Sequence, residues 1–128
     1  MNILDLNHVA LHVSDVSASI AFYRSLGLKT KPRPDFDFDG AWFALGPVRE
    51  LHLLEGLDQS VHEDPRGSHF AMEVDLIDPV KAHLEHVGIP ILKFNIRPDG
   101  AHQIFIEDPD QHVVEFCQQP PSPEPPSS

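Results

Sequence analysis

The sequence predicts an α+β fold made of two similar modules, each reading strand, helix and three further strands. Residues 8–13 and 69–74 both begin with histidine and continue with alternating apolar positions, and 61 positions separate them. The same offset relates Gly27 and Gly88, each of which follows a helix-like segment. A chain of 128 residues with 41% hydrophobic residues suits one domain with its own core. We therefore predict two tandem βαβββ modules within a single domain.

The first module opens with a strand and a helix. Residues 6–13 alternate in polarity, so His8 and His12 would share one face of the strand. Ser14 is a suitable N-cap for the helix that follows, in which apolar residues recur at helical spacing. Gly27 is suited to the left-handed residue that ends such a helix. These signals predict a helix of about three turns.

The second module repeats this plan. After the strand at 69–74, Asp75 or Asp78 offers an N-cap, and Pro79 suits a first helical turn. Apolar residues at helical spacing lead from there to Gly88, which again favours a helix end. A second helix is therefore predicted at the position equivalent to the first.

Three short β-rich stretches, separated by turn-forming residues, follow Gly27, and three more follow Gly88. The first set is predicted at 28–34, 41–45 and 51–54, and the second at 91–96, 103–106 and 112–117. The modules then occupy about residues 4–56 and 66–118 of a domain at 1–118. Residues 119–128 are rich in proline and serine and contain no apolar side chains to bury, so a tail outside the fold is predicted.

The composition excludes several classes of partner. Twenty acidic and nine basic side chains give a formal net charge of −11. Nucleic acid and anionic membrane surfaces both require clustered Lys and Arg, so neither is expected as a partner. A single cysteine, Cys117, allows no intrachain disulfide, and no apolar run approaches the roughly 20 residues of a membrane span. We expect a cytoplasmic protein.

Four side chains occupy equivalent positions in the two modules and form a candidate metal site. His8 and His69 lie in the first strands, and His52 and Glu115 lie in the last strands. If a pseudo-two-fold axis relates the modules, these groups would converge. Three imidazoles and a carboxylate suit zinc, nickel, cobalt or Fe(II). Each residue taken alone would be better explained as an ordinary strand residue, and the repeat register is what favours the metal site.

Several other side chains are candidates for lining a ligand cavity. His12 shares the strand face of His8 but lies roughly 13 Å from it at the rise of a strand, too far to bind the same ion. Phe36, Phe38 and Trp42 could form an apolar wall, although a plain hydrophobic core would explain Trp42 equally well. Among the basic residues, Arg97 is the one expected near the cavity.

These residues resemble the vicinal oxygen chelate superfamily, which includes glyoxalase I, bleomycin-binding and fosfomycin-resistance proteins and extradiol dioxygenases. The resemblance covers about residues 4–118. It rests on the segments Leu-Asn-His-Val-Ala-Leu at 6–11, Ala-Phe-Tyr-Arg-Ser-Leu-Gly-Leu at 21–28, Ser-His-Phe-Ala-Met-Glu-Val at 68–74 and Asp-Pro-Asp-Gln-His-Val-Val-Glu-Phe at 108–116.

The resemblance implies that the modules form curled mixed sheets around a metal-binding cavity. It implies a divalent ion, whether Zn, Ni, Co, Mn or Fe(II), held by His8, His52, His69 and Glu115, with Glu115 also moving a proton. It further implies a small-molecule substrate and a homodimer. Some relatives complete the site within one chain and others across two chains, and both arrangements are open here.

Three functions agree with the resemblance. The first is a glyoxalase-like lyase or isomerase acting on a small oxygenated substrate. The second is an iron-dependent extradiol ring-cleaving dioxygenase, whose ligand set His69, Glu115 and one further histidine would supply. The third is a drug-binding resistance protein of the bleomycin or fosfomycin type. Glyoxalases commonly carry glutamate where this chain has His52, which removes one carboxylate from the expected proton-transfer machinery.

Overall fold

A computed structural model describes residues 1–121 as two four-stranded sheets, each with one helix. The first module contains β1 (His8–Val13), α1 (Val16–Ser25), β2 (Thr30–Lys31), β3 (Gly40–Leu45) and β4 (Arg49–Glu55). The second contains β5 (Phe70–Val74), α2 (Ile77–Val87), β6 (Lys93–Ile96), β7 (His102–Glu107) and β8 (Val113–Gln118). The predicted α+β class and the two βαβββ modules are confirmed.

Both sheets have the same strand order. Sheet A runs β1-β4-β3-β2 and sheet B runs β5-β8-β7-β6. In each sheet the first and last strands of the module pair in parallel, and the other pairs are antiparallel. As a result β1 and β5 are edge strands, so each leaves one side of its backbone without a partner strand in its own sheet.

The N-cap of α1 differs from the prediction. The cap is Asp15, whose extended backbone (φ −137°, ψ 100°) allows its Oδ1 to accept from the Ala18 N–H at 3.1 Å. Ser14 points instead to the second module, where its backbone N–H and its Oγ both donate to the Asp110 carboxylate. Ser14 therefore joins the two modules rather than starting the helix.

Neither predicted acid caps α2. The N-cap position is Leu76, which has no side-chain cap, and Asp75 accepts from the Leu76 N–H at 2.8 Å. The Ile77 N–H donates to Gln118 Oε1 at 2.8 Å, so the end of β8 satisfies a helix N–H that has no intrahelical partner. Gly88 ends the helix with φ 77°, as predicted.

The strand predicted at 28–34 is shorter in the structure and covers only Thr30–Lys31. Pro32 and Pro34 explain this, because neither can donate a ladder hydrogen bond. Residues 32–39 form a loop without regular structure before β3 begins. The other predicted strands differ from the observed ones by one to two residues at their ends. Residues 122–128 of the predicted tail lie outside the described residues.

One face of each sheet enters the core, and the buried apolar side chains of both modules form a single cluster. Leu11, Phe43 and Leu51 contribute from sheet A, and Ile104 and Val114 from sheet B. Because side chains alternate along a strand, the intervening residues project from the opposite face of each sheet. We call these the open faces. No helix within residues 1–121 is long and apolar enough to cross a membrane.

Buried polar groups also join the modules. The Tyr23 hydroxyl donates to Asp108 Oδ2 at 2.8 Å, and burial is the main cause that raises the pKa of this tyrosine. His112 lies 2.8 Å from the His12 carbonyl through Nε2 and 2.6 Å from Glu63 Oε2 through Nδ1. Because both partners accept, both ring nitrogens must donate, which requires the charged imidazolium. His112 therefore ties β1, the inter-module segment and β8 together.

Candidate metal centre

The first pair of predicted ligands lies on the open face of sheet A. His52 is opposite Ala10 in the parallel β1–β4 register, so His8, two residues from Ala10, shares its face. The rings of His8 and His52 stack, with centroids 4.3 Å apart and planes inclined by 17°. Two predicted ligands from different strands are therefore brought into contact.

The second pair lies on sheet B. His69 directly precedes β5, and Glu115 is opposite Ala71 in the β5–β8 register. His69 Nε2 is 2.9 Å from Glu115 Oε1, and Gln103 Nε2 donates to Glu115 Oε2 at 3.0 Å. The Glu115 residue is only 4% exposed. A buried carboxylate is costly unless it is paired, and here both oxygens have partners.

The equivalent histidines of the two modules are held in the same way. His8 Nδ1 is 2.8 Å from Asn7 Oδ1, and His69 Nδ1 is 3.0 Å from the Gly67 carbonyl. Each partner is an acceptor, so Nδ1 carries the proton and the Nε2 lone pair is available in the neutral ring. An imidazole fixed through one nitrogen by a carbonyl or amide oxygen is the usual state of a metal-binding histidine.

The chemistry of the second pair fits a cation. With Nδ1 of His69 committed to Gly67, a neutral His69 directs a lone pair at the oxygen of Glu115. Two lone pairs at 2.9 Å repel each other unless a proton or a metal ion lies between them. Imidazole nitrogen and carboxylate oxygen are both first-row metal ligands. A proton on Nε2 would satisfy this contact, as at His112, and a divalent ion would satisfy it for a neutral His69.

The four predicted ligands do not form one cluster within a single chain. Among residues 1–121, no three His, Cys, Asp or Glu side chains are close enough to hold one metal ion. The His8–His52 pair belongs to sheet A and the His69–Glu115 pair to sheet B. Between the modules lies a cleft of about 980 Å³ that His8 and His69 both line. One chain thus carries two separate pairs of predicted ligands, His8–His52 and His69–Glu115, which we call the half-sites.

Glu50 is a site residue that sequence reasoning missed. Its Oε1 is 3.0 Å from His52 Nε2, and its Oε2 accepts from the Lys31 ammonium. The hydrogen bond from Lys31, followed by that from His52, lowers the pKa of the Glu50 carboxyl. The position two residues before His52 on the same strand was the available signal, because residues i and i+2 share a face.

The aromatic side chains predicted to form a cavity wall lie next to one another beside the histidine pair of sheet A. Trp42 is opposite His52 in the β3–β4 register, and the two rings are almost parallel with centroids 4.1 Å apart. Phe36 lies 6.2 Å from Trp42, and Phe36 and Phe38 stack at 5.1 Å. The wall therefore continues from the histidine pair to the loop before β3.

The two remaining predicted pocket residues have other partners. His12 Nδ1 is 3.3 Å from the Glu55 carbonyl, and the side chain is exposed. Arg97 donates to Asp99 through Nε at 3.1 Å and Nη2 at 2.5 Å. This hydrogen bonding lowers the pKa of Asp99 to about 2. The Arg97 guanidinium is therefore already paired with a carboxylate.

Comparisons with known proteins show the family of the chain. The family model described as Glyoxalase/Bleomycin resistance protein/Dioxygenase superfamily matches residues 5–116. The chain is 29% identical over 126 residues to Glyoxylase I 4 of Arabidopsis thaliana, covering 91% of this chain and 72% of that protein. It is 28% identical over 120 residues to Metallothiol transferase FosB of Bacillus licheniformis, covering 89% and 75%.

A solved structure has the same fold. It is a variant of the fosfomycin resistance protein FosX from Listeria monocytogenes, complexed with Mn(II) and a dihydroxypropylphosphonic acid. The superposition has a TM-score of 0.76 and covers 91% of this chain and 93% of that one, at 18% sequence identity. At that identity the likeness concerns the fold alone.

Proposed function

This chain belongs to the Glyoxalase/Bleomycin resistance protein/Dioxygenase superfamily, and from that premise we propose that it is a divalent-metal-dependent enzyme of the vicinal oxygen chelate type. Its reaction is that of a glyoxalase-like lyase or isomerase on a small oxygenated substrate. The proposed ligands are His8, His52, His69 and Glu115. The observation that carries the proposal is the shared state of His8 and His69, whose Nδ1 atoms are both held by acceptors.

The proposed centre forms between two copies of the chain. The half-sites lie beside the edge strands β1 and β5 of their sheets. If β1 of one protomer meets β5 of the other, the His8–His52 pair faces the pair formed by the partner's His69 and the partner's Glu115. An isologous dimer repeats this contact twice, so a homodimer would carry two complete sites. Docking would also cover two exposed strand edges.

In this centre Glu115 is the proposed proton carrier. A divalent ion held by these four ligands would supply Lewis-acid stabilisation to negative charge that develops on the substrate. Gln103 fixes Glu115 Oε2. The Oε1 that would share the ion with His69 would leave the ion to take a proton from a carbon next to a carbonyl and return it to the neighbouring carbon. Burial of Glu115 keeps water away from this carboxylate. Glu50, paired with His52, adds a second carboxylate on the opposite half-site.

Three of the nine basic residues already have carboxylate partners, which disfavours a phosphonate substrate. Lys31 is bonded to Glu50, Arg49 to Asp5 and Arg97 to Asp99. A phosphonate requires several cations that are free to approach it, and each of these three already has a carboxylate partner. This favours the lyase or isomerase over a fosfomycin-type transferase.

Metal content and substrate assays test the proposed reaction. Protein purified without added metal is analysed for metal and then assayed with the glutathione hemithioacetal of methylglyoxal and with catechol, aerobically and anaerobically. We expect isomerase activity that depends on a divalent ion and not on oxygen. If activity is found only with catechol and requires Fe(II) and oxygen, the function is that of the dioxygenase and not of the isomerase. A chain that binds no metal on titration would leave drug sequestration as the function.

Mixed dimers test the shared centre. One chain carries His8→Ala and His52→Ala, and the other carries His69→Ala and Glu115→Ala. Each double variant alone should bind no metal tightly, whereas the mixed dimer should regain about one complete site, because one half-site pair remains intact across the interface. If the centre forms within each chain, the mixed dimer stays empty. Light scattering on the wild type checks the dimer itself.

A further inference from the structure

Three aromatic rings form a stack across the open face of sheet A. His8, His52 and Trp42 lie on β1, β4 and β3, which are neighbours in the sheet. Their centroids are 4.3 and 4.1 Å apart, and successive planes differ by 17° and 3°. This spacing is close to the roughly 4.8 Å between strands, so each strand supplies one ring to a continuous stack.

A second aromatic group stands at the outer end of this stack. Residues 32–39 follow β2, which borders β3 on the side away from β4, so this loop lies beyond Trp42. Phe36 and Phe38 stack within it at 5.1 Å. The Arg33 guanidinium carbon lies 4.9 Å from the Phe36 centroid and 5.2 Å from that of Phe38. We call Arg33, Phe36 and Phe38 the loop jaw.

Arg33 holds the jaw together. Besides its two cation–π contacts, its Nη2 donates to the Phe38 carbonyl at 3.2 Å. Gly40 lies beside this guanidinium, with its Cβ position 3.4 Å from Arg33 Nη2, and it is the Leu53 carbonyl oxygen, 2.2 Å from that position, that excludes a side chain there. Arg33 Nε is buried and has no hydrogen-bond partner in the described part of the chain. The arginine is therefore committed to the two rings rather than to a carboxylate.

The contact between the Trp42 and Phe36 rings differs from the contacts on either side of it. Its centroid distance is 6.2 Å and its interplanar angle is 51°, whereas the Phe36–Phe38 and Trp42–His52 pairs are closer and nearly parallel. Trp42 thus has a parallel ring on its His52 side and a tilted ring on its loop side. A flat ring inserted between two others requires about 7 Å between them, twice the carbon–carbon contact distance. A small outward movement of Phe36, which is 42% exposed, would provide it.

We propose that Trp42 and the loop jaw form a slot for an uncharged, flat aromatic group of the substrate. The inference rests on the proposed function, because it names the substrate class of the same site. The aromatic group stacks between Trp42 and Phe36, and the stack through His52 to His8 directs the rest of the molecule toward the proposed ligands. Arg33 is a positioning residue that acts through Phe36 and Phe38.

The local charge selects against an anionic ring. Asp35, Asp37 and Asp39 alternate with the aromatic residues of the loop and are exposed. Together with Arg33 they leave the slot with a net negative charge, in a chain whose formal net charge is −11. A carboxylate on the bound ring would be repelled, since like charges near one another raise the free energy of binding.

The single tryptophan of the chain allows a direct test. The indole N–H of Trp42 is followed by proton–nitrogen NMR in metal-free protein with a chelator present. Three probes are titrated: 2-naphthylmethanol, which is flat and uncharged; cyclohexylmethanol, which is uncharged but not flat; and 2-naphthoate, which is flat and anionic. We expect a saturable shift with 2-naphthylmethanol and at least tenfold weaker binding of the other two.

Variants locate the site of binding. Phe36→Leu should weaken 2-naphthylmethanol binding about tenfold, and Arg33→Met several-fold, because each removes part of the jaw. Phe94→Leu is the matched control, since Phe94 is 48% exposed on β6 and should leave binding unchanged. Equal binding of all three probes, no saturation, or equal loss in the Phe36 and Phe94 variants would overturn the inference.

The test separates this inference from the proposed function. The probes lack two adjacent oxygens and are bound without metal, so their binding does not depend on the proposed centre. If 2-naphthylmethanol binds at the slot but the chain binds no metal, the proposed enzyme function is refuted and the slot is kept. If the chain binds metal and is active but no probe shifts the Trp42 indole N–H signal, the slot is refuted and the proposed enzyme function is kept.

Discussion

The open faces of the two sheets have equivalent positions but opposite chemistry. Trp42 is opposite His52 in sheet A, and Phe105 is opposite Glu115 in sheet B, with the same separation of 63 positions. Trp42 lies flat on its partner at 4.1 Å. Phe105 instead meets His69 edge-on, with centroids 5.5 Å apart. One face is therefore an aromatic stack and the other a buried carboxylate.

The difference shows how one backbone plan supports two roles. An imidazole at position 52 can stack on a neighbouring ring, so sheet A extends into an aromatic wall. A carboxylate at position 115 cannot stack, and its burial requires hydrogen bonds, which His69 and Gln103 provide. Under the two proposals, sheet B would supply the group that transfers a proton and sheet A the rings that position a flat ligand.

The largest expected effect follows from this division of roles. Glu115→Gln should lower kcat by roughly a hundredfold or more, since it removes the proposed proton acceptor. His52→Gln should weaken metal binding, but with saturating metal it should lower kcat by less than about tenfold, because His52 is proposed to hold the ion and not to move a proton. Steady-state kinetics with metal analysis of each variant checks this. Glu107→Gln, an exposed carboxylate on β7, is the matched control.

Two further outcomes sharpen the same test. Substituting His52→Glu should preserve or raise isomerase activity, because it adds a carboxylate where glyoxalases commonly have one. Equal losses of kcat in the Glu115 and His52 single variants would mean that the two faces share one role, and the comparison would be wrong.

A second prediction concerns how the equivalent histidines are held. Asn7→Ala removes the side-chain acceptor of His8 Nδ1, whereas His69 Nδ1 faces the backbone carbonyl of Gly67. Losing the partner of a metal-binding histidine typically lowers metal affinity by about 10- to 100-fold. We expect that loss for Asn7→Ala in a competitive chelator titration. Asn2→Ala, near the exposed N-terminus, should not change the affinity.

The third and smallest effect concerns the junction between the modules. Burial disfavours the charged ring of His112, but the hydrogen bonds to Glu63 and to the His12 carbonyl, with the charge of Asp108, outweigh it and raise the pKa of His112. A raised pKa in the folded state stabilises the protein fully below the unfolded value of about 6.5, and this stabilisation is lost as pH rises through the folded value.

Urea unfolding of wild type and His112→Gln at pH 5.5 and pH 8.5 measures this contribution. The free energy of unfolding of the wild type should exceed that of the variant by about 1.5–3 kcal/mol at the lower pH, the range for hydrogen bonds to charged groups. The difference should shrink at the higher pH. A difference that grows with pH would contradict the imidazolium assignment. His86→Gln, exposed on α2, should show no such trend.

Much of the fold follows from local pattern. The alternation at His8 and the helix end at Gly88 depend on neighbouring residues, which is why both modules and their order were predicted. The misplaced caps have a different cause. Ser14 is bonded to Asp110, and the start of α2 is bonded to Gln118, so distant residues decide which group caps each helix. Such contacts leave no periodic signal in the sequence.

The repeat offset by itself paired His8 with His69 and His52 with Glu115, because equivalent positions of two similar modules carry equivalent side chains. The tertiary structure decided which of the four side chains meet within one chain, and it joins His8 to His52 and His69 to Glu115 instead. The core faces of both sheets bury their apolar side chains together, so the open faces point away from the shared core and carry separate half-sites. The contact of Glu50 with His52 and the cation–π bracing by Arg33 were likewise decided by packing. Burial acts on whole faces brought together from distant parts of the chain, and no local pattern contains that information.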